Sequence, residues 1–237
     1  MEIDGLNIEV ERKSIKHLHL AVYPPDGRVH LSMPKELTDE DARLFVVSKW
    51  QWIERQRKDI LEHPRQTERR YISGENYYYL GERYVLNVKE MPISPHITLK
   101  GNQMYMFVHA GSSRQRREEL LREWYRVRLQ KVIEPLMSQW MTKMGESDVT
   151  WQVQRMKNRW GSCTLRSRRI LFNIELVRVP QPCIEYIVVH ELLHLKEKNH
   201  NKLFEALLNK YLPDWQKRRE QLNAFIALPM NQEFIQY

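Results

Sequence analysis

The sequence predicts an α+β protein: a β-hairpin-rich N-terminal part with one long helix over residues 1–111, followed by a second domain over residues 112–237. Three observations carry the prediction. Short alternating stretches bounded by Pro, Gly and Asn fill the first part. A helical stripe recurs from Leu121 to Trp140. An apolar run from Ile184 to Leu195 is introduced by Pro180-Gln181-Pro182, where prolines suit the first turn of a helix. Strands and helices fall in segregated runs rather than strict alternation, which is the α+β pattern.

The elements follow in order. His17 to Val22 alternates, Pro24-Pro25-Asp26-Gly27 reads as a turn, and Arg28 to Met33 alternates again, giving a hairpin. Its histidines, His17, His19 and His30, read as a solvated face rather than a second metal site. Thr38 to Asp41 is rich in capping residues, and Ala42, Val46, Trp50, Ile53 and Ile60 then recur at helical spacing as far as Pro64. Tyr77 to Leu86 forms a second hairpin, and His96 to Leu99 with Met104 to Val108, across Gly101-Asn102, a third. The aromatic run Tyr77 to Tyr79 offers either a base-stacking platform or alternating core rings, and the pattern favours core.

Gly111-Ser112-Ser113 reads as a linker, and Pro135 is expected to kink or interrupt the long helix after it. Gly145 to Asp148 is a turn. Trp151 to Met156 and Ile170 to Asn173 read as strands flanking the basic segment Lys157 to Arg169. Asn201 to Phe204 starts a further helix, and Pro213-Asp214-Trp215 opens the last one.

Composition sets bounds. An apolar fraction of 42% without low-complexity tracts fits a soluble globular protein. The first residues hold no apolar h-region and no run reaches membrane-spanning length, so a cytoplasmic protein without membrane contact is expected. Cys163 and Cys183, the two cysteines, suit a reducing compartment. The net charge of +8 favours phosphate-bearing partners, nucleic acid among them, or acidic substrates.

The chemistry is concentrated in His190-Glu191-Leu192-Leu193-His194, with His200 six residues further on. On a helix, residues four apart differ by about 40° in direction and about 6 Å in rise, so His190 and His194 share a face. Glu191, about 100° round from His190, reaches a water beside the metal rather than the metal itself. His200 on a continued helix would lie about 240° from His194. The helix is therefore expected to end near Asn199, a residue tolerant of left-handed backbone, letting His200 swing back. Three imidazoles and one carboxylate make a catalytic zinc site: metal ligands His190, His194 and His200, general base Glu191, cofactor Zn2+ or another divalent transition ion. The spacing matches HExxHxxGxxH, but Glu197 stands at its glycine, which needs positive φ, so a metzincin is excluded while zincin chemistry stays.

Asn158-Arg159-Trp160-Gly161-Ser162-Cys163, then Val188 to His194, His200 and Pro213-Asp214-Trp215, together resemble the YgjP-like metallopeptidase family, distantly similar to SprT-like and small gluzincin-type zincins. The resemblance implies a zincin-like catalytic half with a β-rich N-terminal part, metal on His190, His194 and His200, and Glu191 as base. It gives no firm role to the RWGSC segment. By their own chemistry, Gly161 permits close backbone approach, Trp160 packs, and Arg159 is either a structural salt-bridge partner or the one candidate substrate contact, to an oxyanion or phosphate.

Three functions compete. The leading one is zinc-dependent hydrolysis of a peptide or protein, with an edge strand near Ile170 to Asn173 holding extended substrate. The second is nucleotide phosphoanhydride hydrolysis, drawing on Arg155, Lys157, Arg159, Arg166, Arg168 and Arg169. The third is a nucleic-acid-binding module with structural zinc closed by Cys163.

Overall fold

The computed structural model describes residues 1–15, 17–23, 26–62, 69–156 and 159–226. The expected turn residues Pro24 and Pro25, the stop at Pro64, and Lys157 and Asn158 lie outside them. The chain forms two compact units, Met1–Glu68 and Arg69–Tyr237.

In the first unit, strands β1 (Glu2–Ile3), β2 (Leu6–Lys13), β3 (His19–Tyr23) and β4 (Arg28–Pro34) form one sheet in the order β1-β2-β4-β3. The β3–β4 hairpin is the expected one; β2, which pairs parallel to β4, was not expected. The expected single helix is instead two, α1 (Asp39–Ser48) and α2 (Trp50–Glu62), broken at Lys49. The bend lets Ala42 and Val46 on α1 and Ile53 on α2 enter one core with Ile8, Val29, Leu31 and Met33. Thr38 caps α1 through a reciprocal box: its hydroxyl accepts from the Asp41 N–H, and the Asp41 carboxylate accepts from the Thr38 N–H. His30 faces Glu11 at 3.2 Å.

In the second unit, β5 (Asn76–Tyr79), β6 (Glu82–Glu90), β7 (His96–Lys100) and β8 (Gln103–Val108) make the two expected hairpins. A parallel β6–β8 pairing joins them into one sheet, order β5-β6-β8-β7. Tyr77, Leu86, Met104 and Met106 are buried in a core shared with α3 (Arg114–Met144), so Tyr77 is a core ring. Pro135 lies inside α3 without interrupting it, because Ile133, Leu136 and Met137 bury on either side. This shared core puts the sheet and α3 in one compact unit, although the sequence suggests a boundary at 111/112.

Strands β9 (Thr150–Gln154), β10 (Gly161–Thr164) and β11 (Arg169–Asn173) form a third sheet in the order β10-β11-β9. This corrects the expected edge at Ile170 to Asn173. β11 is paired on both sides, antiparallel to β10 and parallel to β9, and the segment read as a basic connection supplies the edge strand β10.

Helices α4 (Gln181–Leu193), α5 (Lys202–Tyr211) and α6 (Trp215–Ile226) complete the unit. Tyr186 through Leu193 are all buried, which explains why apolar residues occur on every side of the helix: α4 is enclosed rather than amphipathic. Glu185 accepts a hydrogen bond from the Trp140 indole of α3 at 3.0 Å and pairs with Arg218 of α6. Where α4 begins, the N–H groups of Leu80 and Gly81 donate to the carbonyls of Val177 and Arg178 at 2.8 and 2.9 Å. Gly81 has φ +88°, and a Cβ there would meet Pro180 Cγ at 2.9 Å, so this docking requires glycine. Among the described residues no helix is long and apolar enough to cross a membrane.

Candidate metal centre

The last turn of α4 carries His190 and Glu191, and His194 caps it with φ −61° and ψ −19°. The helix ends there and does not continue to Asn199, as the sequence suggested. The N–H groups of Leu195 and Lys196 bond back to the Leu192 and Leu193 carbonyls, closing a tight turn. Neither Glu197 nor Asn199 adopts positive φ. Stopping early removes the need for a left-handed residue: six residues of turn bring His200 back. Asn201 then caps α5 by accepting from the Phe204 N–H at 3.0 Å.

The three imidazoles converge. His200 Nε2 lies 3.0 Å from His190 Nε2 and 3.1 Å from His194 Nε2. A tetrahedral ion with bonds near 2.0–2.1 Å spaces its ligand nitrogens about 3.3 Å apart, so this donor set fits a small divalent cation. Among the described residues these are the group of His, Cys, Asp and Glu side chains that could hold a metal. Burial, reinforced by the two neighbouring imidazoles, pushes the His190 pKa down to about 3. Burial and then His194 lower that of His200. Both rings therefore present lone pairs at neutral pH. His194 Nδ1 lies 3.1 Å from the Glu197 carbonyl. Since a carbonyl only accepts, Nδ1 carries the proton and Nε2 is left free to ligate.

Sequence reasoning missed the floor of this site. The Phe204 ring is buried, with its centroid 4.8–5.0 Å from those of all three imidazoles. The signal for it was available: Phe204 stands four residues after His200, at the start of a capped helix.

Glu191 is 2% exposed, and burial raises its carboxyl pKa to about 8 against the opposing charge of Arg159. Gly161, the first residue of β10, packs directly on it: a Cβ at Gly161 would come 2.6 Å from Glu191 Oε1. Here is the reason for glycine in the RWGSC segment. Glu191 Oε2 is buried with no hydrogen-bond partner among the described residues, a costly state for an ionised carboxylate.

Two side chains that the sequence reading left without roles hold these parts in place. Fully buried Asn173 donates to the carbonyls of Met156 and Arg159 at 3.0 and 2.8 Å, and its own N–H bonds the Trp160 carbonyl at 2.8 Å. This fixes the approach to Gly161, with Trp160 buried as expected and Arg159 exposed. Glu146, just beyond α3, binds Lys196 at 2.7 Å and Arg168 at 2.6 Å. Burial would raise its carboxyl pKa, and these two cations overcome that and lower it. Glu146 thus ties the turn between His194 and Glu197 to the end of α3.

The other expected contacts separate. Arg168 is engaged by Glu146 and the Ser147 carbonyl, and Arg169 by Gln152. Cys163 stands outside the three-histidine group, its thiol pushed up to about 11 by burial and the Glu191 charge.

A family model for the YgjP-like metallopeptidase domain matches residues 16–225. The chain belongs to the YgjP-like metallopeptidase family. Among solved structures it is similar to the metallopeptidase zymogen abylysin of Pyrococcus abyssi, at TM-score 0.37 and 20% identity over 42% of this chain and 97% of that one. The metallopeptidase zymogen jannalysin of Methanocaldococcus jannaschii is similar at TM-score 0.37 and 20% identity, over 40% of this chain and 96% of that one. No curated protein matches. As a YgjP-like metallopeptidase the chain is a metal-dependent hydrolase acting on peptide or protein.

Proposed function

We propose that this YgjP-like metallopeptidase cleaves peptide bonds with zinc held by His190, His194 and His200, in a zincin-like site where Glu191 is the general base. One observation carries the reading: the Nε2 atoms of His190 and His194 lie within 3.1 Å of His200 Nε2, beside a buried carboxylate with one oxygen unpartnered among the described residues. Zinc so held supplies a Lewis acid and draws the pKa of water down toward 7. Three protein ligands rather than four are the number a catalytic site uses.

Glu191 takes the proton of the attacking water and delivers it to the departing amine nitrogen. Gly161 fixes the carboxylate by leaving no room for it to move toward β10. Arg159, exposed and close enough to lower the Glu191 pKa, is positioned to meet an oxyanion of the substrate. Strand β10 stands at the end of its sheet's strand order, which suits an extended peptide added as a further strand. The unpaired thiols of Cys163 and Cys183 suit a reducing compartment, and we place the protein in the cytoplasm. Nucleotide hydrolysis draws less support, because Arg168 and Arg169 are engaged by Glu146 and Gln152. Structural zinc draws less too, because Cys163 is outside the ligand group.

The test is Glu191→Gln, assayed on casein, fluorogenic peptides and a nucleotide panel, with metal content measured beside it. Peptide turnover is expected to fall by about a hundredfold or more with metal retained. Wild-type turnover in the variant would remove Glu191 as base, and phosphate release without peptide cleavage would overturn the peptidase reading.

A further inference from the structure

The sheet β5-β6-β8-β7 buries one face in the core with α3, and its opposite face has a distinctive composition. Side chains alternate along each strand, so residues next to buried Leu86, Ile97, Met104 and Met106 point the other way. That places Tyr105 and Phe107 of β8, His96 of β7, and a margin of Arg83, Lys89 and Lys100 on the outer face. No Asp or Glu of the four strands shares it. Glu82 and Glu90 have the alternation of Leu86 and fall on the inner side, where Glu90 pairs with Arg117 of α3.

The rings form one stacked row, with His96 laid against a face of Phe107. His96 and Phe107 are register partners, with centroids 4.6 Å apart and planes at 18°; Phe107 and Tyr105 follow at 6.5 Å and 23°. The bond between His96 Nδ1 and the Ser94 carbonyl, 2.8 Å, holds the first ring. Tyr105 and Phe107 are half-buried, while His96, Lys89, Lys100 and Arg83 are exposed.

Nearly parallel aromatics framed by cations, with no carboxylate among them, complement a strand of unpaired bases: rings stack on bases and cations meet phosphates. A duplex, whose bases are already stacked and paired, offers no free base faces. Thr98, on the same face, supplies a neutral hydroxyl that suits a base edge or a 2′-hydroxyl, beside Asn87 and Gln103, whose amides bond to each other. We propose that the outer face of this sheet binds single-stranded RNA, with bases on Tyr105 and Phe107 and phosphates on Arg83, Lys89 and Lys100. The proposal is independent of the peptidase reading.

A fluorescein-labelled oligouridine titrated with the full chain in low salt, followed by anisotropy, tests it. Saturable binding is expected, stronger for the RNA than for single-stranded DNA of equal length or for duplex RNA. The double variant Tyr105→Leu/Phe107→Leu keeps apolar area but removes the stacking rings. It should bind about tenfold more weakly or worse at an unchanged melting temperature. The double variant Lys89→Gln/Lys100→Gln, which leaves the rings alone, should reduce the slope of log affinity against log salt by roughly 0.7 per lost contact. Absence of saturable binding would overturn the proposal. So would equal or tighter binding of duplex RNA or of single-stranded DNA, or unchanged affinity and salt slope in the variants.

Discussion

At Glu191, burial and function pull in opposite directions. Its carboxyl is raised by burial to about 8, so the metal-free fold holds a proton there that the unfolded chain releases near 4.5. The stability this contributes is full below about pH 4.5 and is lost as pH rises through about 8. His190, lowered by burial and its imidazole neighbours to about 3, works the other way: its contribution is present above about 6.5 and lost as pH falls. Between about pH 6.5 and 8 the Glu191 effect stands alone. Thermal melts of metal-free protein should therefore show Glu191→Gln gaining on wild type across that window, by on the order of 2 kcal/mol. Parallel curves would contradict the burial argument. Gly161→Ala forces a Cβ to 2.6 Å from Glu191 Oε1. It should lower stability by about 1–3 kcal/mol and cut peptide turnover far more than its stability loss explains. Unchanged turnover would dismiss the contact. The three histidines and Glu191 were legible because their spacing is a chemical pattern within one short segment. Gly161 was legible only as a place of close approach, and Phe204 as a helix start, because what each touches is fixed in space rather than in sequence.

Elements were legible where the signal was local. Thr38 with Asp41, Pro180-Gln181-Pro182 and Asn201 each marked a helix start that the structure contains. Failures came where a distant partner decides. The parallel pairs β2–β4, β6–β8 and β9–β11 join strands with no turn between them, so no turn sequence announces the pairing. The end of α4 at His194 depends on a turn that Glu146 tethers through Lys196 from outside the motif. Removing that tether with Glu146→Ala should weaken zinc binding about tenfold, the usual effect of losing an outer support of a ligand turn. Competition with a chromophoric chelator measures it. The cobalt-substituted variant should also show an altered visible spectrum, and a wild-type spectrum and affinity would show that the tether does not position His194.

On the scale of the whole molecule, the described residues form two cores, one within the unit Met1–Glu68 and one within the unit Arg69–Tyr237. The sequence places its boundary at Gly111-Ser112-Ser113, whose residues also serve a local purpose. Ser113 caps α3, and Gly111 turns the chain at φ +70°. Calorimetry is expected to resolve two transitions, with added zinc raising only the one belonging to the larger unit, as binding to a folded site requires. A single transition moving as a whole would show the units to be one cooperative block. The central claim is that three imidazoles hold one ion beside Glu191. Anomalous diffraction from zinc-loaded crystals tests it most directly. It should show one site about 2.0–2.1 Å from Nε2 of His190, His194 and His200, and an ion bound elsewhere, or one that leaves His200 out, would contradict the account.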